Sequence, residues 1–218
     1  MDTATAYQDW NNRWQSEEGR ADWREPDPDV RALIGELRSR NVRRVLDLGC
    51  GVGRHALYLA AEGFEVTAID ASEAGIAYCR GAANEMRLHV DMHVGSMLDL
   101  PFPDASFDYL LTFNVIYHGA PDVVRRSIAE IARVIRPGGL LQATLLSKRN
   151  AGFGVGTEIA PDTFVVPDAS DDKVHAHHYS NAADAVRLLG EFELISLIDR
   201  EQKRAGHWHW HLLAERLA

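Results

Sequence analysis

Residues 45–72 read VLDLGCGVGRHALYLAAEGFEVTAIDAS, and this stretch decides the fold. Val45, Leu46 and Leu48 form an apolar run that breaks at Gly49, Gly51 and Gly53. RHALYLAAE then has helical character and ends at Gly63, and FEVTAID is a second strand closing on Asp70. Strand, glycine turn, helix and strand together predict a parallel βαβ unit. The glycines permit a tight turn and let a ligand approach backbone with no Cβ in the way. A dinucleotide fingerprint would place a third glycine where Arg54 stands, and its ligand would bring a pyrophosphate to the helix N-terminus. Asp47 sits inside a strand that should be apolar on both faces, at a cost of several kcal/mol unless a donor or cation offsets it. A cationic ligand would supply that offset, and Asp70 is placed to accept hydrogen bonds from ribose hydroxyls. The expected ligand therefore joins a nucleoside to a positively charged amino acid tail and carries no phosphate.

The flanking sequence continues the alternation. PDPDVRALIGELRS (26–39) predicts a helix with Asp27 as N-cap, Pro28 at its first position and a stripe of Val30, Leu33, Ile34 and Leu37. Ser72 caps a helix over EAGIAYCRGAANEM, LHVDMHV (88–94) is a third strand, and FDYLLTF (107–113) a fourth. DVVRRSIAEIARVI is helical up to Pro137-Gly138-Gly139 and is followed by the apolar strand LLQATLL. Residues 148–179 break the rhythm with glycines, prolines and acids, as a functional or mobile segment does. A helix at 181–189 and two strands, FELISLID and HWHWHLLAERL, predict an antiparallel hairpin at the C-terminal edge.

At 218 residues the chain suits one domain over 1–218, with 46% hydrophobic and 25% charged residues placing it among ordinary globular proteins. A net charge of −9 gives no broad basic surface, so neither nucleic acid nor an anionic membrane is an expected partner. Cys50 and Cys79 do not resemble a secreted disulfide framework, and the N-terminus MDTATAYQDWNNRW lacks a basic start and apolar run. A cytoplasmic location is expected. Oligomeric state carries no sequence signal here.

LDLGCGVG, Asp70, LPFPDASFDYLLTFNVIYH and RVIRPGGLL resemble, in order over residues 42–146, the motifs of class I S-adenosylmethionine-dependent methyltransferases. GRHALYLAAEGFEVTAID is similar to the small tellurite-resistance-type members, and WNNRW followed by Trp23 to the N-terminal segment of thiopurine-type members. The resemblance implies a Rossmann-like, mainly parallel seven-stranded α/β sheet with helices on both faces, S-adenosylmethionine as cofactor and a small-molecule acceptor. It further implies that Gly49, Cys50, Gly51 and Gly53 line the methionine part, Asp47 supports its ammonium, and Asp70 with Ala71 holds the ribose. An acidic residue often follows the third strand to bind adenine; GSMLDL has Ser96 and Met97 instead, so a hydroxyl or carbonyl would replace the carboxylate. Asn114 completes the expected cofactor set.

Ligands of open α/β sheets lie beyond the carboxyl ends of the strands, so NVIYHG after the fourth strand should border the reactive methyl. Tyr117 and His118 are the candidate catalytic groups, His118 as a base if the acceptor carries a proton at working pH. Tyr7, Trp10, Trp14 and Trp23 suit either a lid formed by residues 1–25 or a staple for the first helix. Residues 148–179 are expected to build the acceptor pocket, with His178 and Arg149, beside Tyr7, Trp10 and Trp14, as substrate contacts. In HWHWH the histidines fall on one strand face and the tryptophans on the other, and packing is preferred there over a metal site. The rival functions are a nicotinamide-dependent oxidoreductase, disfavoured by Asp47 and Arg54, and a non-catalytic protein binding S-adenosylmethionine or a metal.

Overall fold

A computed structural model describes residues 3–202 and 204–218; Met1, Asp2 and Lys203, the first two from the expected lid, lie outside the described residues. Two short helices, α1 (Tyr7–Arg13) and α2 (Glu17–Ala21), precede α3 (Pro28–Ser39). Then come β1 (Arg44–Leu48), α4 (Arg54–Ala61), β2 (Glu65–Asp70), α5 (Glu73–Met86), β3 (Val90–Val94) and β4 (Phe107–Thr112). They are followed by α6 (Pro121–Val134), β5 (Ile135–Ser147), β6 (Thr157–Ala160), β7 (Thr163–Val165) and β8 (His177–Ser180). The chain ends with α7 (Ala182–Leu188), β9 (Phe192–Glu201) and β10 (Trp208–Arg216).

The sequence rules for helix starts hold where they were applied. The Asp27 side chain accepts the Asp29 N–H ahead of Pro28, and Ser72 Oγ accepts the Gly75 N–H at the head of α5. The main sheet runs β3-β2-β1-β4-β5-β10-β9, parallel as far as β5 and antiparallel at β10 and β9, which is the expected seven-stranded sheet with its hairpin. Leu46 and Leu48 face a core built with α6 and α7, whereas Val45 faces one built with α3 and α4. Strand alternation puts Asp47 on the second of these faces, between Ala68 of β2 and Leu111 of β4.

Three features depart from the expectation. Residues 148–179 are not irregular throughout: β6 and β7 pair antiparallel, β7 pairs with β8, and β8 adds in parallel to the last two residues of β5. These strands are three or four residues long, too short to show a period. The strand after α6 begins at Ile135, with the Pro-Gly-Gly turn absorbed as a register shift opposite β4. Finally, α1 and α2 carry no apolar stripe of their own; packing of three tryptophans fixes them. Among the described residues, no helix is long and apolar enough to cross a membrane.

Candidate functional site

The carboxyl ends of β1, β2, β3 and β4 open into a cavity of about 450 Å³. Its floor is the glycine loop, Gly49 to Val52, with Ile69, Asp70 and Ala71 beside it. Two glycines shape the loop. Gly51 has φ +53, and a Cβ there would meet the Trp14 ring at 3.1 Å. Gly53, at φ +84, packs so tightly on α5 that a Cβ would sit 2.2 Å from Cys79 Sγ.

Asp70 is the carboxylate at this floor. Its Oδ2 accepts the Gly51 N–H at 2.7 Å and its Oδ1 the Ser72 N–H at 2.7 Å, so one side chain ties the loop to the head of α5. Burial raises its pKa, and the two amide donors oppose that rise. The far wall holds Ser96, Met97 and Leu98, where Ser96 Oγ accepts the Leu98 N–H at 3.1 Å. Asn114 lines the cavity at φ +60, with its N–H on Thr144 Oγ1 at 2.7 Å. Asparagine tolerates this left-handed geometry better than most residues do.

The roof is aromatic. Tyr7, Trp10, Trp14 and Trp23 line the cavity from above, with ring centroids 5.0 Å apart for Trp10 and Trp14 and 5.1 Å for Trp10 and Trp23. Asn11 locks the roof onto α5, its Oδ1 accepting Ser72 Oγ–H at 3.1 Å and the Ala74 N–H at 3.0 Å. Among the described residues, the buried indole Nε1 of Trp10 has no hydrogen-bond partner, a donor that a ligand acceptor would satisfy.

Not every predicted residue reaches the cavity. Asp47 is 2% exposed and stands behind the loop, its Oδ2 accepting the Ala56 N–H at 2.9 Å. Burial pushes its pKa up to about 7, opposed by the Arg54 guanidinium and the Ala56 amide and assisted by Asp70. Arg54, which in the sequence only marked a missing glycine, is thus the resident cation near Asp47; it lines the cavity and lies 5.1 Å over the Trp23 ring. His55 also lines the cavity, its Nε2 accepting the Asp27 N–H at 3.2 Å. Neither residue had a motif to announce it, although both occupy the first turn of a helix entered from a ligand loop. Gly53 and Tyr117 pack beside the cavity and do not line it; the Tyr117 ring stacks 4.6 Å from His118.

His118 does line the cavity, and each of its ring nitrogens faces an oxygen. Nδ1 lies 2.8 Å from Val115 O, and Nε2 lies 3.3 Å from Asp172 Oδ2. Burial lowers its pKa, with Asp172 opposing and His177 reinforcing that fall. His178 lines a separate groove of about 700 Å³ between α6 and α7, and its ring meets Thr163 Oγ1 at 3.0 Å. Arg149 lies outside both cavities, 3.5 Å over the Trp208 ring. In the HWHWH segment, His209 and His211 are buried, His207 is exposed, and Trp210 packs on the core, so both strand faces carry packed side chains.

The raised pKa of Asp47 has a measurable consequence. Its folded value of about 7 exceeds the ordinary unfolded value near 4, so between them the native protein holds a proton that the unfolded chain has lost. This group's contribution to stability is fully present below about pH 4 and declines as pH rises to about 7. Asp47→Asn should remove that decline, making the variant more stable than the parent above pH 7 by on the order of a few kcal/mol. Denaturant titrations from pH 4 to 8 check this; parallel profiles for the two proteins would contradict it.

A methyltransferase-domain family model matches residues 45–139. The chain is 32% identical over 171 residues to a malonyl-[acyl-carrier protein] O-methyltransferase of Enterobacter lignolyticus, the match covering 76% of this chain and 62% of that protein. It is 34% identical over 164 residues to a probable S-adenosylmethionine-dependent methyltransferase of Mycobacterium tuberculosis, covering 75% and 57% respectively. The chain therefore spans about three fifths of the length of these relatives. In fold it is similar to the 1,6-didemethyltoxoflavin-N1-methyltransferase of Burkholderia thailandensis, solved with 1,6-didemethyltoxoflavin and S-adenosylhomocysteine. That likeness has a TM-score of 0.73 at 20% identity and covers 97% of this chain and 87% of that one.

Proposed function

We propose that the chain is a class I S-adenosylmethionine-dependent methyltransferase that transfers the methyl group of S-adenosylmethionine to a small-molecule acceptor. The observation that carries this reading is the cavity enclosed between the glycine loop and the tryptophan roof, with Asp70 on its floor and an unsatisfied Trp10 donor above. Its size falls within the ordinary range for small ligands, about 300 to 1,000 Å³.

The residues fit the cofactor piece by piece. Asp70 Oδ1 and Oδ2 each keep a lone pair beyond the backbone bond already made, which suits the two ribose hydroxyls. Backbone at Gly49 to Gly51 takes the methionine portion, Ala71 flanks the ribose, and Ser96 with Met97 flanks the adenine. Above about pH 7, where it is ionised, Asp47 acts from behind the loop as a negative charge that favours the ammonium, a field effect and not a direct contact. When bound, S-adenosylmethionine supplies an electrophilic methyl on a sulfonium.

The chain's own part is alignment and exclusion of water. Trp10, Trp14 and Tyr7 close over the floor, and Asn114 and His118 bound the side where the acceptor enters. Positive charge disperses along an in-line displacement, so fixing the acceptor against the methyl in a dry site supplies most of the acceleration. His118 forms a fixed wall, its ring held by Val115 O and facing Asp172; service as a base would require Nε2 to leave that carboxylate. His118→Ala is expected to lower turnover by roughly ten- to a hundredfold through misplacement of the acceptor. Affinity for S-adenosylhomocysteine should change far less, and an unaltered turnover would make His118 purely structural.

Residues 1–218 form one methyltransferase domain in this proposal, with the N-terminal segment as a lid; no residue of 148–179 lines the cavity, and that segment backs the acceptor side from behind His118 through Asp172 and His177. Contacts outside the cavity hold the N-terminal segment: Thr5 Oγ1 meets His175 Nδ1 at 2.9 Å, joining it to 148–179, and Thr3 Oγ1 accepts the Ala120 N–H at 2.9 Å. Incubation with methyl-labelled cofactor and a pooled metabolite extract, followed by mass spectrometry, tests the reading. Label should appear in a small molecule; persistent failure across acceptors despite tight cofactor binding would leave a non-catalytic binder.

A further inference from the structure

His118, Asp172 and His177 come together from three places in the chain: the loop after β4, the single turn before β8, and the first residue of β8. Each offers one ligand atom, and the three atoms lie within 4.8 Å of one another. Asp172 Oδ2 is the shared point, 3.3 Å from His118 Nε2 and 3.5 Å from His177 Nε2. The cluster is largely buried, and His118 is the member that also lines the main cavity.

The protons on these rings are fixed by their other nitrogens. His118 Nδ1 lies 2.8 Å from the Val115 carbonyl oxygen, and His177 Nδ1 lies 3.0 Å from the His175 carbonyl oxygen. A carbonyl oxygen only accepts, so both Nδ1 atoms carry hydrogen. In neutral imidazoles both Nε2 atoms then present lone pairs, and both point at an oxygen of an ionised carboxylate, which is also only an acceptor. Three acceptors converge with no donor between them. A backbone carbonyl that holds Nδ1–H and aims Nε2 inward is how proteins orient imidazole for a metal.

The separations fit as well. Two bonds of about 2.0 to 2.1 Å meeting at a tetrahedral angle place their ligand atoms about 3.3 to 3.4 Å apart. The observed 3.3 Å matches that edge, 3.5 Å is 0.1 to 0.2 Å longer, and the third pair lies within 4.8 Å. The second cluster, Asp27, Asp29 and His211, differs in kind because Arg200 already pairs with Asp29 and lies 3.0 Å from His211 Nδ1. There a guanidinium supplies the positive charge. Among the described residues, the ion pairs of Asp172 are with the two imidazoles alone.

We propose that His118 Nε2, His177 Nε2 and the Asp172 carboxylate bind one divalent transition-metal ion of the zinc class beside the methyl-transfer cavity. Two imidazoles and a carboxylate leave a fourth position for water or an exogenous ligand. The ion would also clasp the segment before β8 to the loop that carries Asn114 and His118, joining the acceptor side to the cofactor side.

The test uses the full chain, stripped with chelator and titrated calorimetrically with zinc(II) in the absence of cofactor. One ion per chain is expected, and cobalt(II) should give the visible absorption of a four-coordinate nitrogen and oxygen site. Since loss of an outer-shell partner alone costs about 10- to 100-fold in metal affinity, Asp172→Asn and His177→Gln should each weaken zinc by at least that factor. His211→Gln should bind zinc like the parent. Failure of the unmodified protein to take up one equivalent would overturn the proposal, and so would zinc retained by both triad variants. The cobalt spectrum needs no variant, so it decides the matter even if a substitution impairs folding. S-adenosylhomocysteine affinity, measured on the same samples, separates loss of this site from failure of the methyltransferase reading.

Discussion

Replacing Asp70 by alanine is expected to weaken S-adenosylhomocysteine binding by about 1 to 3 kcal/mol, roughly 5- to 150-fold. Two effects act in the same direction. The variant loses the charged acceptors proposed to meet the ribose, and it leaves the N–H groups of Gly51 and Ser72 without the partner that each now holds at 2.7 Å. The glycine loop would therefore lose its tie to α5 as well as its ligand contact. Asp70→Asn separates these effects, because an amide keeps one acceptor oxygen and its affinity should fall between alanine and parent. Calorimetric titration is the check; an alanine variant that binds like the parent would remove Asp70 from the ribose role.

Trp14→Ala should destabilise the fold by about 3 to 5 kcal/mol, the usual cost of truncating a buried aromatic. Trp14 is 5% exposed and is the keystone of the roof. Its ring fills the space above Gly51 and Gly75, where an added Cβ would come within 3.1 and 3.0 Å of it, and it packs on Trp10 and Trp23. Its carbonyl oxygen also accepts Arg20 Nη1–H at 2.5 Å. Denaturant unfolding gives the stability change, and cofactor affinity should drop with it. A loss below about 1 kcal/mol would show that the N-terminal segment rests on the domain without supporting it.

The sheet and its helices were legible because each carries a local signal. Pro28 after Asp27, Ser72 before Glu73 and the stripe of Val124, Ile128 and Ile131 fix elements by caps and periodicity, and α3, α5 and α6 stand where those signals lie. Asp70 and the glycine loop were legible as neighbours because β1 and β2 pair in parallel, so the turn that ends one and the carboxylate that ends the other meet at the same sheet edge. Less legible was which neighbour answers each buried charge. Arg54 beside Asp47, and Asp172 beside His118 and His177, are meetings of residues that sequence spacing does not bring together. By resemblance His178 is the expected acceptor contact, but its buried predecessor His177 is the one that reaches the His118 wall. In a four-residue strand alternate side chains face opposite ways, and the choice of face comes from pairing and not from composition.

Co-crystallisation with S-adenosylhomocysteine tests the central claim most directly. The compound should occupy the cavity over residues 49–52, with its ribose hydroxyls within hydrogen-bond distance of Asp70 and its tail on the glycine loop beneath the tryptophan roof. A cavity filled by its own side chains, with the compound bound elsewhere or not at all at saturating concentration, would contradict it.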